Sequence, residues 1–89
     1  MNLISLILDM DDCFEIKKEY KGKGKKIKNV ETPEDCQTEC QKDDSCQFFT
    51  WHQKHNACVL KAAKGNIINT VKWMVSGPKN CPGGKGLLK

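Results

Sequence analysis

The chain of 89 residues contains no arginine. Its fifteen basic residues are all lysines, so it lacks the planar guanidinium fork that reads guanine and grips phosphate in pairs. That absence argues against nucleic acid as a partner. No acid follows Asp44. Residues 1–44 carry eight lysines against eleven acids, a balance of −3, and residues 45–89 carry seven lysines and no acid, a balance of +7. No run approaches eighteen apolar residues, so no segment reads as a transmembrane helix. No glycine-rich loop opens a helix, since Gly22-x-Gly24 leads into a lysine run. There is no Asn-x-Ser/Thr sequon, because Asn69-Thr70-Val71 misses the pattern.

What is present in excess is cysteine: Cys13, Cys36, Cys40, Cys46, Cys58 and Cys81. An even count in so short a chain reads as three disulfides formed in an oxidising compartment. A domain of this size builds only a small core, and covalent staples then decide its stability. Six cysteines allow 15 pairings, and spacing alone does not choose among them. Full pairing leaves no thiolate for nucleophilic catalysis. A zinc site needs four ligands; Cys36-x3-Cys40 and His52-x2-His55 are the only short pairs, and using them would leave other cysteines unmatched. The reading is therefore of a non-enzyme with neither cofactor nor metal.

Residues 1–12 and 82–89 read as tails around one module over 13–81. The first holds a short apolar stretch, Met1 to Leu8, with no basic start and no cleavage site. The second, Pro82-Gly83-Gly84-Lys85-Gly86, has linker composition. Between them, Phe14–Tyr20 and Lys25–Val30 alternate in character around Gly22 and Gly24, which predicts a hairpin. Thr32-Pro33-Glu34-Asp35 predicts a helix start. Threonine caps, proline takes the first turn without losing a needed hydrogen bond, and the acids face the positive helix end. The helix is expected from Pro33 to about Lys42, with Cys36 and Cys40 on one face. Cys46–His52 and Ala57–Lys61 predict strands, residues 62–70 a loop, and Val71–Val75 a last strand ended by Ser76-Gly77-Pro78.

Two surfaces suggest binding. Lys17, Lys18, Lys21, Lys23, Lys25, Lys26 and Lys28 form a dense basic run that would attract sulfated glycans or acidic partners. The plainer account is that these lysines are solvated and guard a sheet edge. Trp51 and Trp73 are each a stacking platform or core filler, and filling a small core is the stronger expectation.

The string Cys36-Gln37-x-x-Cys40, Cys46-x-x-Phe49-Thr50-Trp51, Cys58-Val59-Leu60-Lys61 and Ser76-Gly77-Pro78-Lys79-x-Cys81 resembles a PAN/apple module. Cys13 fits as the first cysteine, and Tyr20-x-Gly22 lies in the expected early region. Leu-Lys and Ser-Gly-Pro-Lys most resemble the modules repeated in tandem in microneme adhesins of Eimeria-type apicomplexan parasites. The resemblance implies an α+β fold, a twisted antiparallel sheet of about five strands cradling one α-helix. It also implies nested disulfides, Cys13–Cys81, Cys36–Cys58 and Cys40–Cys46. Closures of about 69, 23 and 7 residues correspond to roughly 4.4, 3.4 and 2.3 kcal/mol on a loop-entropy basis. The implied function is non-catalytic and extracellular: attachment to protein or carbohydrate on a host cell, or to another adhesin, by a secreted microneme protein carrying neighbouring apple modules. The alternatives are a heparin-like glycan site on the Lys17–Lys28 run and a spacer with no ligand of its own.

Overall fold

The computed structural model describes residues 13–70 and 73–81. The tails at 1–12 and 82–89, and Val71 and Lys72 of the expected last strand, lie outside the described residues. Helix α1 (Pro33–Lys42) occupies the expected span. The extended Thr32 accepts a hydrogen bond at its side-chain oxygen from the Asp35 N–H at 3.0 Å, with Pro33 opening the first turn. The helix stops where Asp43 turns extended and donates its N–H to the Cys40 carbonyl. Cys36 and Cys40 are its two buried residues, so the disulfides fasten its inner face. Cys36 bonds to Cys58, Cys40 to Cys46, and Cys13 to Cys81.

Seven strands follow in chain order: β1 (Glu15–Ile16), β2 (Lys18–Tyr20), β3 (Gly24–Lys28), β4 (Phe48–His52), β5 (Ala57–Lys61), β6 (Ile67–Asn69) and β7 (Met74–Pro78). Five form an antiparallel sheet in the order β1-β7-β4-β5-β3, and β2 and β6 form a separate antiparallel pair. Directly paired residues share a face. Phe49, Trp51, Cys58, Leu60 and Val75 therefore face α1 and, with Val30 and the helix cysteines, make the core. Phe14 stands edge-on to Phe49 at 5.3 Å, and the Trp51 indole N–H donates to the Val30 carbonyl at 2.7 Å.

The predicted hairpin does not form. Its first half is split by Lys17, which takes φ 61, and the two pieces pair with β7 and β6. Its second half, β3, pairs with β5 and ends at Asn29, φ 65. Gly22 instead permits a close backbone approach. Its N–H donates to the Lys64 carbonyl, and a Cβ there would sit 2.1 Å from the Ala63 oxygen. The predicted loop at 62–70 contains β6, whose three residues are all exposed. The last strand is shifted, with Ser76-Gly77-Pro78 inside β7 rather than ending it. Gly77 lies against the Phe14 and Phe49 rings, where a Cβ would approach both at 3.1 Å.

The opposite face of the sheet is polar but satisfied. Ser76 donates its hydroxyl to the Lys18 carbonyl, which leaves the Thr50 hydroxyl to donate to Ser76 Oγ at 2.7 Å. Thr50 in turn accepts from the Tyr20 N–H, and the buried Lys61 ammonium donates to the Tyr20 carbonyl. This relay seats β2 on the sheet. Burial holds the Lys61 ammonium below the ordinary lysine range, with nearby Glu19 opposing that shift and Lys21 adding to it.

Candidate functional site

The β2–β6 pair covers only part of that face. Beside it lies an open groove of about 590 Å³, a volume within the range of small-ligand sites. Register explains its lining. Val59 and Ala57 on β5 and Met74 on β7 provide an apolar floor, and Lys26 of the edge strand β3 points to the same side. His52 ends β4, and Lys54 and His55 occupy the four-residue turn into β5, closed by Asn56 at φ 48. From β2 and just beyond it come the part-buried Glu19 and the exposed Lys21, 3.7 Å apart. Trp73 stands at the opposite wall, 43% exposed, with the Lys17 ammonium 5.3 Å from its ring centre.

The lining is electropositive. Lys21, Lys26 and Lys54 face one carboxylate, Glu19, with two imidazoles between them. Burial pushes the His52 pKa below the ordinary histidine value; Glu19 opposes this, and Lys61, His55 and Lys26 reinforce it.

Strand alternation divides the lysine run. Lys26 and Lys28 lie on the groove face, while Lys25 faces the helix side and pairs with Asp43 at 3.4 Å. Lys23 lines a separate opening beside Lys25 and Asp43. Lys18 donates to the Asn69 side chain on β6, and Lys17 leans on Trp73. Only Lys21 and Lys26 of the seven line the groove. Of the tryptophans, Trp51 is core at 5% exposure, whereas Trp73 is at the surface. In the sequence His52 and His55 stand out only as a short pair, with nothing to connect them to Trp73. The closeness of His52, Lys54 and His55 was the available signal, since a tight turn between paired strands gathers its residues.

A second hollow lies between Tyr20, Phe48, Glu15 and Asn80. Its aromatic pair is already capped by Lys64, and the Tyr20 hydroxyl is taken up by the Glu15 carboxylate. Burial and that carboxylate hold the phenol far above its ordinary pKa. Among the described residues, no group of three histidine, cysteine or acidic side chains is placed to hold a metal ion, and no helix is long and apolar enough to cross a membrane. All six cysteines are in disulfides.

The family model of the PAN domain matches residues 13–81. The chain is similar to the solution structure of the two N-terminal apple domains of Toxoplasma gondii microneme protein 4, at 27% identity and a TM-score of 0.60 over 74% of this chain. It spans 44% of that two-domain structure. It is also similar to the solution structure of a PAN module from Eimeria tenella, at 29% identity and a TM-score of 0.56, covering 82% of this chain and 92% of the other. No curated protein matches the chain in sequence.

Proposed function

The chain belongs to the PAN domain family, and from that premise we propose that it is a non-catalytic module of a secreted microneme-type adhesin, attaching to protein or carbohydrate on a host-cell surface. The observation that carries this is the likeness to the apple domains of Toxoplasma microneme protein 4, in which two such domains stand in tandem. An adhesion-type module fits the fold's small stapled core and open sheet face. The three disulfides suit an oxidising, extracellular compartment. Neighbouring apple modules in the parent chain would raise avidity without a strong single site.

A second reading, polyanion capture by Lys17, Lys18, Lys21, Lys23, Lys25, Lys26 and Lys28, draws on the exposure of all but Lys18. It predicts heparin retention that collapses between low and physiological salt, as the screening length contracts to about 8 Å. Retention indifferent to salt would contradict it.

The test of the adhesive reading is capture from host-cell surface extract together with a glycan array, using the oxidised module. Specific retention of a surface protein or glycan is expected. Failure in both formats, by single and tandem modules alike, would overturn it.

A further inference from the structure

We propose that the groove between Trp73, His52, His55, Lys21 and Lys26 binds the acidic terminal sugar of a glycan, its carboxylate on the cationic rim and its ring against Trp73. This rests on the adhesive reading and specifies its ligand.

The charge and shape of the site favour this ligand over its competitors. Three lysines against one acid favour an anion over a neutral group. A long sulfated chain draws on a continuous basic track, and strand alternation divides the lysine run, sending Lys25 to the helix side and Lys26 and Lys28 to the groove face. What remains is a short cationic site suited to a single anionic group. An acidic peptide would ordinarily add backbone hydrogen bonds at a free strand edge. The strands of the groove floor offer none, because β4 is paired on both sides by β5 and β7, and β5 by β4 and β3; only the edge strand β3, which carries Lys26, keeps a free side, and the peptide arm below tests it. An exposed indole, in a groove also lined by Val59 and Met74, instead offers a flat surface to the apolar face of a pyranose.

His52 makes the site respond to pH. The charged and titratable groups around His52 are Glu19 and Lys21 from the β2 side, Lys26 on β3, Lys61 on β5, and Lys54 and His55 in the turn; Met74 of β7 is neutral. A bound carboxylate adds a negative charge that favours the imidazolium form. Proton uptake and anion binding therefore reinforce each other, and affinity rises as pH falls below about 6.5.

The experiment is a two-dimensional NMR titration of the intact, oxidised chain with 3′-sialyllactose, with lactose and 3′-sulfolactose as comparison arms and a short polyglutamate peptide as a fourth. Shifts at the Trp73 indole N–H and the amides of Lys26, His52 and His55 are expected with sialyllactose and not with lactose. Trp73→Ala should weaken binding at least about fivefold and Lys26→Glu about tenfold, while Lys25→Glu on the other face changes it less than about twofold. Both groove positions are exposed, and an unchanged spectrum outside the groove verifies that each variant is folded. An equal response to lactose, a stronger response to sulfolactose or to the peptide, shifts centred on Lys23 and Lys25, or affinity that falls with acidification would overturn the proposal. Retention of another cell-surface ligand with no groove shifts would leave the adhesive reading standing and remove this one.

Discussion

Replacing Cys36 and Cys58 together by alanine should remove the largest single brace between α1 and the sheet. Both residues are fully buried and lie at the centre of the core, with the bridge spanning a sequence separation of 22. Loop-closure entropy assigns the bridge about 3.4 kcal/mol, through the larger ensemble that the unfolded chain regains. Loss of two buried sulfurs adds to this, for a total of about 3.5–5 kcal/mol. A domain of this size is stable by about 5–15 kcal/mol, so the variant should fold only marginally at the lower end of that range. The melting temperature should fall by roughly 14–27 °C on the entropic part alone, at about 4–8 °C per kcal/mol. The Cys40 and Cys46 double variant is the internal comparison. Its separation is 6, its entropic part is about 2.3 kcal/mol, and Asp43 and Ser45 still hold the turn it closes. Urea unfolding followed by circular dichroism and tryptophan fluorescence reads both. A larger loss for the short bridge, or a loss under about 1 kcal/mol for the long one, would refute the reasoning.

Trp51→Phe keeps most of the ring but strands the Val30 carbonyl, and urea midpoints should report a loss of about 1–3 kcal/mol. Thr50→Val breaks the buried relay to Ser76 and Tyr20. It should cost about 2–4 kcal/mol, with Thr50→Val plus Ser76→Ala costing less than the sum of the single changes in a double-mutant cycle. Acrylamide should quench one tryptophan readily and the other poorly, and Trp73→Ala should remove the accessible component. The folded state holds His52 below the ordinary histidine pKa, so the unfolded chain takes up that proton first. Stability from this residue is intact above about pH 6.5 and falls as pH drops below it, and His52→Gln should flatten that step in melting curves.

The helix was legible because its signals are local. Thr32, Pro33, Glu34 and Asp35 act within one turn of one another, and no distant partner is needed to read them. Strand β5 was legible for a similar reason, being a short β-rich run bounded by turn residues. The hairpin was misread because pairing is a long-range choice. Lys25–Val30 alternates well enough, but β3 finds β5 across the helix, and a left-handed Lys17 divides the segment that was to be its partner. Ser76-Gly77-Pro78 carries the composition of a strand end. It stays inside β7 because Thr50 and Lys18 satisfy Ser76 and because only a glycine fits between Phe14 and Phe49. The site was less legible still. A contiguous lysine run looks like one patch, yet a strand sends neighbours to opposite faces. Trp51 and Trp73 are the same residue type, and only the sheet order makes one core and the other surface.

Binding of the fluorescently labelled, oxidised module to living host cells, as one copy and as a tandem pair, tests the adhesive account most directly. The account predicts saturable binding by the single module, a gain of about a hundredfold or more for the pair, and loss of both on reduction of the disulfides. Equal, non-saturable background for single, paired and reduced protein would contradict it.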